Sequence, residues 1–274
     1  MDNTSQEIGR KAAMRRALRI TECGLNFYPI TMENYEIFFS CKEALTVRLG
    51  SLPVKYLTKN YVQALFALET DALKSNGKGG GIFFKLLRFL YLSLRIEITT
   101  ETFKDSIFYA QEGDEACLKY IIVKQDENVV KLTPEDISFK IIPLIAEQNG
   151  VELPNQSENI DLVRANEQRK ALSTQSSKLK IDLNDLIASV AYNSRVSERE
   201  INEWTVREFE NRKRAIERDK MFTIYGQAEA GGMVSFKNGN PYPSWCFDKI
   251  DDSLGGISMA EFKNKLSGVK EKNN

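Results

Sequence analysis

Apolar residues change their spacing several times along this chain, and each change marks a different kind of element. From Thr31 onward Met32, Tyr35, Phe38 and Phe39 recur at helical spacing, with Thr31 placed to cap the first turn. Gly50 and Pro53 then break the pattern. Val54, Leu57, Tyr61, Ala64, Leu65 and Leu68 step by three and four, which predicts a helix from Pro53 or Val54 to Leu73 with one apolar face. The run Ile82 to Ile98 is apolar except where Lys85, Arg88 and Arg95 interrupt it. A bilayer span needs roughly 20 predominantly apolar residues, so the run predicts a buried helix at the centre of a first domain. Period-two runs come next at Ile96 to Thr100, Ile107 to Ala110, Leu118 to Val123 and Val129 to Leu132, with Asp126-Glu127-Asn128 as a hairpin connection. Helices and strands segregated in this order predict an α+β fold with three or four antiparallel strands.

Thr133-Pro134-Glu135-Asp136 is a helix start: a capping Thr, Pro at the first position and acids where the helix dipole favours them. Ile137, Ile141, Leu144 and Ile145 line one side of that helix, which ends near Gly150. After Pro154 the chain turns helical and highly charged, with helices predicted over 157–172 and Asp182 to Tyr192. Ser197 with Glu200, and Thr205 with Glu208, are two capping boxes, so a short helix, a turn at Trp204 and a longer helix from Val206 toward Tyr225 are expected. Glu208 with Arg212 and Glu210 with Arg214 stand in the favourable i,i+4 order. Residues 5–20 read as a short basic helix. The expected division is an arm over 1–21, an α+β domain over 22–155 and a mainly helical domain with an extended aromatic segment over 156–274.

Composition removes most catalytic chemistry. The chain has 38 basic and 38 acidic residues but no histidine. There is therefore no Ser-His or Cys-His nucleophile and no imidazole metal ligand, and the expectation is a protein that is not an enzyme and needs no cofactor. Cys23, Cys41, Cys117 and Cys246 are scattered without a CxxC pair and read as small buried hydrophobes of a reducing compartment. Ser75 to Gly81 is glycine-rich, but Ile82 and Phe83 stand where a phosphate loop needs Lys-Ser/Thr, so it reads as a connector. Asp248, Asp251 and Asp252 lack the spacing of a calcium loop. The basic residues Arg212, Lys213, Arg214 and Arg218 share their turns with Glu208, Glu210, Glu217 and Asp219, which disfavours nucleic acid as a partner. Met1 to Glu7 are polar and no apolar h-region follows the basic cluster Arg10, Lys11, Arg15 and Arg16, so no signal peptide is expected.

Trp204 and Trp245 are the two tryptophans, the second within Gly239-Asn240-Pro241-Tyr242-Pro243-Ser244-Trp245. Aromatics in such an extended, Pro-restricted segment dock on the chain's own helices or on a partner. Trp204, Phe209, Phe236, Tyr242 and Trp245 are the candidate partner contacts.

From Asp182 to Asp248 an ordered set runs through Leu186-Ile187, Val190-Ala191-Tyr192, Ile201 and Trp204-Thr205-Val206-Arg207-Glu208-Phe209, then Tyr225, Gly231-Gly232-Met233-Val234-Ser235-Phe236-Lys237 and Trp245. This arrangement resembles the tail assembly chaperones and baseplate-hub assembly proteins of tailed bacteriophages. Phe27-Tyr28-Pro29-Ile30-Thr31, Cys41-Lys42 and Leu52-Pro53-Val54-Lys55-Tyr56-Leu57 add an echo in the first half. The resemblance covers about half the chain, in hydrophobic and turn patterns. It implies a non-enzymatic morphogenesis protein that contacts tail or baseplate proteins, such as the tape-measure or hub protein, in the host cytoplasm. It leaves open self-association and a structural place in the virion tail or baseplate. A nucleic-acid-binding phage protein is the further alternative.

Overall fold

The computed structural model describes residues 19–76, 81–97, 106–113, 115–157, 161, 165, 182–234, 240–242 and 244–246. The expected basic helix up to residue 18, the glycines at 77–80, Ile98 and Thr100, and most of the helix expected over 157–172 lie outside them. So do Phe236, Pro243, Asp248, Asp251 and Asp252.

The fold is α+β. Its first element is one the residue pattern did not predict, a hairpin of β1 (Ile20–Glu22) and β2 (Leu25–Phe27). Cys23 and Gly24 turn it with φ of 52° and 78°, the left-handed pair that matches the twist of the flanking strands. Ile20, expected at a helix end, is therefore in a strand. A 3-10 turn, Met32–Asn34, leads into α1 (Tyr35–Cys41). The single helix expected over 54–73 is two, α2 (Val54–Leu57) and α3 (Tyr61–Asn76). Asn60 Oδ1 accepts from the Gln63 N–H at 2.9 Å and so restarts the helix, resetting its phase. As a result Val54 and Leu57 are exposed and Tyr56 is buried.

Helix α4 (Ile82–Leu94) forms the centre of the core, as its apolar run predicts, and buries Phe83, Leu86, Leu87, Phe89, Leu90, Tyr91 and Leu94. The buried Glu69 of α3 caps it. Its two oxygens accept from the N–H groups of Gly81 at 3.0 Å and Phe83 at 3.4 Å. Strands β3 (Ile107–Glu112), β4 (Glu115–Gln125) and β5 (Asn128–Leu132) make an antiparallel sheet in the order β3-β4-β5. Ala116, Leu118, Ile121, Val123, Gln125 and Leu132 are buried in it. A cross-strand ladder stands on another row, with Phe108 stacked on Tyr120 at 4.9 Å and Lys131 Nζ 4.9 Å from the Tyr120 ring centre.

Helical residues 134–149 (α5) begin at the expected cap, where Thr133 Oγ1 accepts from the Asp136 N–H at 3.1 Å. Ile137–Ile141 is π-helical, a slip in the ladder just before Pro143, which has no N–H to donate back to Phe139. Ile137, Ile141, Leu144 and Ile145 are all buried, and the helix ends at Gly150 with φ of 70°.

Helices α6 (Leu183–Ser194), α7 (Glu198–Glu203) and α8 (Val206–Ala230) complete the order. Asp182 caps α6 and Ser197 caps α7, the latter accepting from the Glu200 N–H at 3.2 Å. The chain divides into two compact units, Met1–Asn211 and Arg212–Asn274. Inside the first unit, residues 30–32 pair through the backbone with residues 204–206. Thr31 and Thr205 form an antiparallel bridge, Met32 N–H donates to the Trp204 carbonyl at 2.8 Å, and Val206 N–H donates to the Ile30 carbonyl at 2.8 Å.

The thiols differ from the expectation of four small buried groups. Cys41 is buried, Cys23 and Cys117 are half-buried and Cys246 is exposed, all unbridged. Burial pushes the Cys23 and Cys41 thiols above their ordinary pKa.

Candidate partner-docking surface

Within the first unit, α8 starts on a complete capping box. Thr205 N–H donates to Glu208 Oε2 at 2.9 Å, and Glu208 N–H returns a bond to Thr205 Oγ1 at 3.1 Å. That geometry turns Phe209 inward. Its ring meets Tyr35 edge-on at 6.2 Å and is fully buried, so Phe209 is a core residue and not the partner contact it was expected to be. Tyr35 Oη donates to Glu210 Oε1 at 3.3 Å. Burial first, and the Glu210 charge second, push the Tyr35 phenol up to about 12. Glu208 serves the cap, and Glu210 accepts from Tyr35. Trp204 is half-buried, and its carbonyl accepts from Met32.

In the second unit, the described part of the aromatic segment lies back on its own helix. Asn240 Nδ2 donates to Glu229 Oε2 at 3.3 Å, the Tyr242 ring sits 5.2 Å from the Tyr225 ring, and Arg218 Nε donates to the Trp245 carbonyl at 2.9 Å. Asn240, Tyr242 and Trp245 thus meet Glu229, Tyr225 and Arg218 in turn, so the segment runs antiparallel to α8. Arg218, Tyr225 and Glu229 share one helix stripe because they stand seven and eleven residues apart. Of the two docking modes open to this segment, its main chain and Tyr242 take the first, on the chain's own helix.

Its indole does not. Trp245 is 63% exposed, Met233 83%, Ile224 58% and Val234 43%. Among the described residues of α8, only Val206 and Phe209 are fully buried. Residue-level reading picked out Trp245 but missed Ile224 and the clamp that Arg218 makes. The stripe spacing of Arg218, Tyr225 and Glu229 was the available signal.

A second concavity lies in the first unit, a half-open groove of about 660 Å³ between Pro29 to Asn34 and the last turns of α4. Ile30, Ile37, Leu92 and Ile96 give it apolar lining, while Arg88 and Arg95 balance Glu33 and Glu97 in charge. Arg95 spends part of its charge on the Tyr28 ring, 4.4 Å from its centre. An open groove with balanced charges and apolar lining suits a polypeptide side chain better than a small charged substrate. Among the described residues no group of three His, Cys, Asp or Glu is placed to hold a metal ion, and no helix is long and apolar enough to cross a membrane.

No family model, curated protein or solved structure matches this chain. Its function is therefore read from its own residues.

Proposed function

We propose that this protein is a bacteriophage tail or baseplate morphogenesis protein that acts without catalysis, through contacts with other polypeptides. The observation that carries the binding role is the exposed apolar set Ile224, Met233, Val234 and Trp245 beside a tail whose main chain is clamped to α8. Large apolar groups left in water gain free energy when a partner covers them. A tryptophan on a fixed backbone is the usual hot spot, because little ordering entropy remains to be lost. The tail-assembly assignment rests on the resemblance of residues 182–248.

The test is co-expression with the tape-measure or hub protein of the same phage and size-exclusion chromatography. Co-elution is expected, and Trp245→Ala is expected to weaken the complex by roughly 30-fold, as loss of a hot spot does. Solitary elution of the wild-type chain in every pairing overturns the proposal. Mass spectrometry of purified virions separates a transient helper from a structural component.

A further inference from the structure

We infer that the chain associates with copies of itself head to tail, the second unit of one copy docking on the exposed surface of α6 and α7 of the next. This rests on the docking role proposed above and names one partner for it. The docking side is basic. Arg212, Lys213, Arg214, Arg218 and Lys220 outnumber Glu217 and Asp219 in the first turns of α8 that belong to the second unit. Trp245 is fastened at the level of Arg218 by the 2.9 Å bond to its carbonyl, and its side chain is exposed.

The receiving side is the electrostatic complement. On α6 and α7 Asp185, Glu198, Glu200 and Glu203 are exposed against Arg195 and Arg199. Tyr192, in the last turn of α6, is 85% exposed and supplies an aromatic for the indole to meet. Each surface carries an excess of one sign and one exposed aromatic anchor. Two basic bands repel each other, as do two acidic ones, so the basic band of one copy meets the acidic surface of another and not its own like. Such a contact uses different patches on the two copies and leaves one of each free to continue the series.

Light scattering coupled to size exclusion tests this on the full chain. The wild-type mass is expected to rise with protein concentration at about 50 mM salt and to return toward the monomer at about 500 mM, where screening shortens the reach of the charges. Arg212→Glu with Arg214→Glu in one variant, and Glu198→Lys with Glu203→Lys in another, should each be monomeric with an unchanged circular dichroism spectrum. Mixed together they should assemble again, because each altered patch meets its complement on the other variant. A wild-type monomer at every concentration, variants that assemble like the wild type, or folded variants whose mixture stays monomeric would each overturn the inference. A monomeric wild type that still co-elutes with a tail protein sinks self-association alone and leaves the proposed function standing.

Discussion

Removing the carboxylate of Glu69 tests how the central helix is held. Helix α4 begins at Gly81, which has φ of 72° and no side chain to cap the helix, so its first N–H groups depend on a residue from α3. Glu69 is 3% exposed and accepts from Gly81 N–H at 3.0 Å and Phe83 N–H at 3.4 Å. In Glu69→Ala both donors lose their acceptor. A buried unmet donor costs about 1–3 kcal/mol, and the bond at 3.4 Å belongs at the low end of that range. The negative charge at a helix N-terminus contributes about 0.3–1 kcal/mol more. The expected loss is therefore about 2–4 kcal/mol. Glu69→Gln keeps one carbonyl acceptor but loses the charge and turns an amide N–H toward a donor, so about 1–2 kcal/mol is expected. Urea unfolding followed by circular dichroism measures both, and the expected order of stability is wild type, Gln, Ala. An alanine variant within about 0.5 kcal/mol of the wild type, or a glutamine variant as damaging as alanine, refutes the view that the buried carboxylate caps α4.

Two further outcomes concern the start of α8. Thr205→Ala removes the reciprocal capping box and should lower stability by about 1 kcal/mol in the same assay, while the backbone bridge between Thr31 and Thr205 keeps its pairing. Tyr35 has a folded pKa raised from 10 to about 12, so the folded state holds its proton more tightly. Its contribution to stability is thus complete below pH 10 and is lost as pH rises through 12. Tyr35→Phe should make the alkaline fall in stability between those pH values shallower, as followed by denaturation at stepped pH; an unchanged slope contradicts the assigned burial and Glu210 contact.

What could be read from sequence was local. Thr133 with Asp136, Ser197 with Glu200 and Thr205 with Glu208 were legible because each side chain meets a backbone group three residues away. The apolar run of α4 was legible because eight of its thirteen residues are buried. The bonds that position the chain between β2 and α1 were not. Gln125 accepts from the Asn26 N–H at 2.7 Å and donates to the carbonyls of Asn26 at 2.8 Å and Leu94 at 3.0 Å. Asn149 accepts from the Ile30 N–H at 2.8 Å, and Gln148 donates to the Phe27 carbonyl at 3.3 Å. Most of these bonds from buried amides reach backbone groups about a hundred residues away, and in sequence the amides look like ordinary polar positions.

Helix α8 misled for a related physical reason. A charged helix reads as one solvated rod, because periodicity averages over turns that sit in different surroundings. Here the first turn belongs to the core, through Val206 and Phe209, and everything beyond Asn211 belongs to the second unit. Phe209 therefore packs inward although its neighbours are charged. Phe209 is spent on folding, whereas Trp245, Met233 and Ile224 remain exposed and would lose that exposure on binding. A substitution at Phe209 should thus act on stability, and one at Trp245 on association alone, which is the separation that a docking unit joined to a packed first unit requires.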